Sequence, residues 1–332
     1  MMKSQGLFDL QVNGYAGVDF NDSSITPERL DHALEVMLTD GVTGCLPTLI
    51  TAHPEELEQR FLALDAAVAN SKFGATMVPG YHLEGPFLNS AEGYRGCHPH
   101  EAMTDPDVAL VSRLGVQLHK PILLLTLAPE RAGSCEAIRT FRSMGIVVAM
   151  AHSQAGYADV EMAVNAGLTV STHLGNGLPQ QLHKVENTLL AQLAEPRLMA
   201  CFIADGLHLS PNALTAMLRL KTHDRCILVT DAVLAAGAAP GNYSFAGMPV
   251  VLDEQGTVRQ PGAASLAGSA LRLDQAVRNV CEWSGVPSAT AVAMASIHPR
   301  RALAFALEFH SITLRVGELA WNSAMQPQLQ SI

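Results

Sequence analysis

Eight short apolar runs punctuate the first 230 residues, at 7–12, 44–50, 75–82, 121–127, 145–151, 168–172, 199–204 and 226–230. Their side chains are apolar at consecutive positions rather than at alternate ones. That pattern predicts strands buried on both faces, as in a parallel sheet. Helix signals fill the gaps. Thr26-Pro27 supplies a cap and a first-turn proline, then Leu30, Ala33, Leu34, Met37 and Leu38 recur at helical spacing until Gly41. Ser210-Pro211 opens a second helix with Leu214, Met217 and Leu218 inward, and Tyr157, Val160, Ala163 and Val164 mark a third, closed by Gly167. Eight strands alternating with helices predict an α/β fold, a (β/α)8 TIM-type barrel, whose functional groups sit at the C-terminal strand ends.

Beyond Asp231 the pattern changes. Residues 234–263 are rich in Ala, Gly and Pro around two strand-like stretches, 245–252 and 256–259, and read as a β-hairpin excursion. From Ala264 a helix is expected to resume through Leu271, Ala276, Val277 and Val280. No internal repeat or linker divides the chain. It reads as one barrel over 1–310 followed by a tail, 311–332, with weak strand character.

Composition narrows the class. At 332 residues, 48% apolar and 16% charged with no block of either sign, the chain suits a single large globular core. Its net charge of −10 disfavours nucleic acid and anionic membranes as partners, since both require clustered Lys and Arg. No apolar run is long enough to span a bilayer, and the N-terminus lacks the charged-then-apolar pattern of a signal peptide. The six cysteines are widely spaced and include no C-x-x-C, so reduced thiols and a cytoplasmic location are expected.

The chemistry lies in three segments that each follow a strand-like run: His82-Leu-Glu84-Gly-Pro86, Ala151-His152-Ser153 and Thr172-His173-Leu174. Two neutral imidazoles and one carboxylate bind Zn²⁺ with a position left open to water. Glu84, His152 and His173 are therefore the candidate ligands. The eighth run ends in Asp231, a carboxylate placed to take a proton from that water and return it to a leaving group. His208, beyond the seventh run, is a candidate for orienting or polarising a substrate carbonyl. Any one of the 13 histidines alone would read as a surface, capping or core residue. Their delivery by separate strands to one barrel face argues for a site. Cys97 and His98 lie in a Gly/Pro-flanked loop, in contact with substrate or simply exposed. Gly14 and Gly17 read as a turn after the first strand.

The ordered motifs resemble the N-acetylglucosamine-6-phosphate deacetylases of the amidohydrolase superfamily. The matching segments are Asp9-Leu-Gln11-Val-Asn13-Gly14, Leu46-Pro-Thr-Leu-Ile50, His82-Leu-Glu-Gly-Pro86, Gly96-Cys-His98-Pro99, His152-Ser153, Thr172-His173-Leu-Gly-Asn176, Ala204-Asp-Gly-Leu-His208, Val229-Thr-Asp231-Ala and Leu266-Ala-Gly-Ser269. The resemblance implies a barrel of the metal-dependent amidohydrolase kind, with Glu84, His152 and His173 as metal ligands and Asp231 as the acid/base. It implies that Cys97, His98, Asn176, Gly177, Asp205, His208, Leu266, Ala267 and Gly268 line an amino-sugar phosphate site. The implied reaction releases acetate from the 2-acetamido group of N-acetylglucosamine 6-phosphate, in a homodimer that lends a cation across its interface. One divalent metal is expected, Zn²⁺ or else Fe²⁺, Co²⁺ or Mn²⁺, because Gln11 and Asn13 stand where many amidohydrolases carry His-x-His.

The chain departs from the family at the phosphate end. Counted from His173 without gaps, the family's phosphate-gripping Arg falls at Lys184, which keeps the charge without the bidentate fork. Gly175-Asn176-Gly177 replaces a bulkier stretch. The family's small β-sandwich domain, built jointly from both chain ends, is expected to be largely missing, with the tail as its remnant. Two other readings stay open on sequence: an amidohydrolase for a non-phosphorylated acylamino sugar or another small amide, and a non-catalytic metal- and sugar-binding barrel.

Overall fold

The computed structural model describes residues 2–263 and 265–332. Eight parallel strands form the barrel: β1 (Leu7–Val12), β2 (Val42–Ile50), β3 (Tyr81–Glu84), β4 (Ile122–Leu127), β5 (Val147–Met150), β6 (Val170–Ser171), β7 (Met199–Phe202) and β8 (Cys226–Leu228). Each pairs with its sequence neighbours, from β1 through β8. Every residue of all eight is buried, which explains their unbroken apolar runs.

The ring closes just past β8. Ala232 bridges Val12 in parallel, the Asp231 N–H donates to Gln11 O at 2.9 Å, and the Thr230 hydroxyl donates to Asp9 Oδ2 at 2.6 Å. Burial raises the Asp9 carboxyl to about 7, against the opposing hydrogen bonds from Thr230 and Gln11. The barrel seam thus carries polar groups that tie β1 to the segment holding Asp231.

Helices cover the outside as their signals indicate. Thr26 Oγ1 caps Pro27–Thr39 by accepting from Arg29 N at 3.3 Å, and Ser210 Oγ caps Pro211–Lys221 through Ala213 N. Two expectations need correction. The third strand does not begin at residue 75: Gly74–Met77 is a helical turn, because Ser71 Oγ accepts from the N–H groups of Phe73 (3.1 Å) and Gly74 (2.8 Å). The helix expected from Ala264 begins at Leu273, and Ala264 itself lies outside the described residues. The segment before it stays extended because its backbone is bonded elsewhere. Ala267 N donates to Val258 O, and Ser269 exchanges bonds with Asp231 and Val233.

Two small sheets complete the fold. Gly241–Phe245, Met248–Leu252 and Val258–Arg259 form an antiparallel sheet over the C-terminal mouth of the barrel. The chain ends meet in another: Glu318–Trp321 lies between Met2–Gln5 and Pro327–Ser331. The tail is therefore a paired structure, its weak strand pattern reflecting one buried strand beside an exposed one. Trp321 anchors it, 1% exposed, with Nε1 donating to Ser4 Oγ at 2.8 Å. Trp321→Ala is expected to lower stability by about 3–5 kcal/mol, read as an earlier midpoint in chemical denaturation. A midpoint unchanged from the parent would separate the end sheet from the cooperative core.

Candidate metal centre and active site

The proposed site residues stand at strand ends. Glu84 closes β3, while His152, His173 and Asp231 follow β5, β6 and β8. The last three have left-handed backbones, with φ of +48°, +29° and +49°. Non-glycine residues adopt this region at a cost of about 1–3 kcal/mol, and neighbours must hold them there. They do: Asn89 N donates to His152 O (3.1 Å), Asn176 Nδ2 to His173 O (3.0 Å), and Asp231 N to Gln11 O (2.9 Å). Where each strand stops pairing, the backbone turns.

The centre is the buried Glu84 carboxylate, faced by three imidazoles. His173 Nε2 meets Oε1 at 2.7 Å, His152 Nε2 lies 3.7 Å from Oε1, and His98 Nε2 lies 3.9 Å from Oε2. The His152 ring stacks edge-on against both others, centroids 4.7 Å from His98 and 4.9 Å from His173. Burial pushes the Glu84 carboxyl up, but the His173 hydrogen bond and the histidine charges outweigh it and hold it well below the usual carboxylate range. Burial pushes His173 down, and Glu84 more than compensates, raising it to about 8. Burial, with His98 and His173 nearby, drops His152 to about 3.

These groups fit a divalent cation. Two ligand atoms each about 2.1 Å from a tetrahedral ion are about 3.4 Å apart. The 3.7 and 3.9 Å separations are near that and too long for hydrogen bonds. Glu84, His98 and His152 bring ligand atoms within 4.8 Å of one another. His152 Nδ1 faces Tyr94 O at 2.6 Å and must carry the proton there, leaving Nε2 as the lone pair. His98 Nδ1 reaches Thr51 Oγ1 at 2.9 Å, and that hydroxyl donates to Glu84 O, so His98 Nε2 is likewise free to coordinate. The buried Nδ1 of His173 has no partner. His98, expected at the substrate, therefore also belongs to the cluster around Glu84.

Asp231 sits beside this cluster. Asn13 Nδ2 (2.7 Å) and Gln11 Nε2 (3.1 Å) both donate to its Oδ1, and the Thr172 hydroxyl bonds Gln11 Oε1 to orient that amide. Burial, reinforced by the Glu84 charge, raises Asp231 to about 6. The Cys97 thiol is pushed to about 12 by burial, with Asp231 and Glu84 adding to it, so it stays neutral.

One cavity of about 380 Å³ joins Glu84, His98, His152, His173 and Asp231 to Cys97, Asn176, Gly177, His208, Leu266 and Gly268. Three expected substrate residues do not line it. Lys184 is exposed and does not line the cavity of its own chain. Ala267 is buried at 1% exposure while its neighbours Leu266 and Gly268 face the cavity. Asp205 lines an adjoining cavity of about 250 Å³ and reaches the site only by gripping His208 Nδ1 at 2.5 Å. The cavity also gains Gln180 and Arg259, which the motifs did not flag. Arg259 is the only Lys or Arg among residues 234–263, the one trace it left in the sequence.

No family model matches the chain. Among curated proteins it is 32% identical to an N-acetylgalactosamine-6-phosphate deacetylase of Escherichia coli O157:H7, over 89% of this chain and 76% of that protein. It is 34% identical to the N-acetylglucosamine-6-phosphate deacetylase of Bos taurus, over 94% of this chain and 76% of that one. The chain belongs to the N-acetylglucosamine-6-phosphate deacetylase family. Its fold also matches a solved deacetylase of Mycobacterium smegmatis in complex with N-acetyl-D-glucosamine-6-phosphate, with TM-score 0.88 and 26% identity over 99% of this chain and 85% of that chain. A deacetylase from Pasteurella multocida matches at TM-score 0.85 and 26% identity, with the same coverage.

In this deacetylase-family chain the amidohydrolase fold and the His/His/Glu cluster indicate a divalent-metal site. Glu84→Gln is expected to lower bound metal more than tenfold, measured by elemental analysis after dialysis against buffered Zn²⁺. Metal content equal to the parent's would remove Glu84 from the site.

Proposed function

We propose that this chain hydrolyses the 2-acetamido group of N-acetylglucosamine 6-phosphate to acetate and glucosamine 6-phosphate. One observation carries the reading: a single cavity holds a metal-fitting Glu/His cluster and, beside it, a carboxylate clamped through one oxygen. A non-phosphorylated substrate is not favoured, since the relatives are named for phosphorylated sugars.

In this reading Glu84, His152 and His173 hold the metal, with His98 beside them. A divalent ion held there, which we take to be one Zn²⁺, would lower the pKa of a water and polarise the amide carbonyl. Gln11 and Asn13 occupy Asp231 Oδ1, so Oδ2 is the oxygen left for proton transfer. Asp231 takes a proton from water as water attacks the acyl carbon. It then gives that proton to the amino nitrogen as the C–N bond breaks, so the departing group leaves as a neutral amine. A carboxylate raised toward 6 by burial is a stronger base toward that water than an exposed aspartate, and its value lies nearer the neutral range that a group cycling between base and acid requires. His208, fixed by Asp205, orients the substrate from the cavity wall.

We read residues 1–310 as the catalytic barrel and 311–332 as strands of a small β-domain. We further infer a cytoplasmic homodimer. Six free cysteines, three of them buried, suit a reducing compartment, and among the described residues no helix is long and apolar enough to cross a membrane.

The test is acetate release by metal-loaded protein from the gluco- and galacto-configured 6-phosphates. Asp231→Asn is expected to reduce kcat by about 10²–10⁴-fold with metal content retained. Parent protein that released acetate from neither sugar would sink the substrate assignment, and an Asp231→Asn protein turning over normally would remove Asp231 from its role.

A further inference from the structure

We propose that Asp19 and Arg60 are positioning residues for the active-site cavity: together they clamp the turn of the excursion hairpin and so fix Phe245 in the cavity wall. That this wall faces an amino-sugar phosphate rests on the deacetylase reading above.

The turn needs holding. Strands Gly241–Phe245 and Met248–Leu252 are joined by only two residues, Ala246 and Gly247, with φ of +48° and +82°. Asn and Gly accept such angles in tight hairpins, whereas an alanine there is strained. The N–H and C=O of the first turn residue also take no part in the ladder, and need partners outside it. Both find charged side chains. Ala246 N donates to Asp19 Oδ2 at 2.6 Å, and Arg60 Nη2 donates to Ala246 O at 3.2 Å.

The two side chains come from separate elements, and each is anchored. Asp19 is buried, and its Oδ1 accepts from Asn21 N at 2.8 Å. Burial raises its carboxyl to about 6, while the Ala246 and Asn21 bonds and the Arg60 charge oppose the rise. Arg60 is buried on the helix Pro54–Asn70, where Nη2 also meets Glu56 Oε1 at 2.5 Å. Asp19 closes a short hairpin that opens at Gly14, directly after Asn13, which donates to Asp231. One short segment therefore holds the acid/base at one end and the cavity wall at the other.

Otherwise the excursion rests on a small core of its own. Phe245, Val250 and Leu252 pack with Ile50, Val233 and Ala267, apart from the main barrel core. Phe245 lines the cavity beside Ile50 and Val233, and its neighbour in the chain is the clamped Ala246. Releasing Ala246 thus loosens the wall without opening the barrel.

The experiment compares full-length, metal-loaded parent with Asp19→Asn, Arg60→Gln, Arg60→Lys and Asp19→Asn combined with Ala246→Gly. Asparagine keeps the shape of Asp19 but can accept only one of its two bonds. Amide hydrogen exchange over residues 241–252 is expected to quicken about tenfold in Asp19→Asn and Arg60→Gln, with the denaturation midpoint held. Arg60→Lys should fall between, and Ala246→Gly should recover part of the Asp19→Asn loss, since glycine takes this φ without strain. Calorimetric binding of glucosamine 6-phosphate should weaken and KM should rise, each about 3–10-fold, with kcat within about twofold, because bound ligand re-forms the wall. Unchanged exchange in both single variants would overturn the clamp. So would faster exchange throughout the barrel with an earlier midpoint, which would make the pair framework residues. Faster exchange confined to the hairpin, with KM and product binding unmoved, would overturn the positioning role. If the parent releases no acetate yet its glucosamine 6-phosphate binding weakens in the variants, the deacetylase reading fails and the positioning role stands. If it neither releases acetate nor binds that sugar, both fail.

Discussion

The molecule is organised around a carboxylate that has no business being buried alone. Glu84 is 2% exposed at the end of a barrel strand, and an unpaired anion there would cost several kcal/mol. His173, from beyond β6, answers that cost with a hydrogen bond, and two further imidazoles complete the ring, His98 from a loop and His152 from beyond β5. Each is oriented or restrained in turn, His152 by the Tyr94 carbonyl, His98 by Thr51, His173 by its left-handed backbone and Asn176. One layer deeper on the same strand face, His82 is kept neutral by burial, which lowers it to about 4, and is held between Thr48 and Thr126. A polar column therefore runs into an otherwise apolar barrel, and the surrounding strands must keep their register to satisfy it.

Barrel closure and the candidate site share residues for the same reason. The seam between β1 and β8 is made through Asp9, Gln11, Thr230 and Asp231. Gln11 contributes its carbonyl to the seam and its side-chain amide to Asp231, whose Oδ1 it occupies. Asn13 adds the second donor. Two side-chain amides from β1 and its end thus hold one oxygen of Asp231.

The periphery supplies the rest of the cavity wall. The small sheet over the barrel mouth contributes Phe245 and Arg259 to the cavity, and the extended 265–271 segment adds Leu266 and Gly268. Both depend on long-range backbone pairing rather than on local propensity. The end sheet lies at the other extreme of the chain's organisation, where Trp321 and Leu319 bury the seam between the two termini.

Much of this was legible before any coordinates. Continuous apolar runs report burial on both faces, so the barrel strands declare themselves, and a residue just past such a run must lie at the barrel mouth. Glu84, His152, His173 and Asp231 follow from that alone. Caps such as Thr26 and Ser210 are equally local and equally legible. What sequence could not supply was contact between distant segments. His98 joins Glu84 because a loop folds back over β3, and Arg259 enters the cavity because a three-stranded sheet carries it there. Lys184 lies outside because counting residues along a loop does not say where the loop goes. The helix expected from Ala264 is an extended segment instead, since its amides find partners on Val258 and Asp231. Periodicity and capping are written in neighbouring residues, whereas the substrate end of the cavity exists only once residues far apart in the chain are brought face to face.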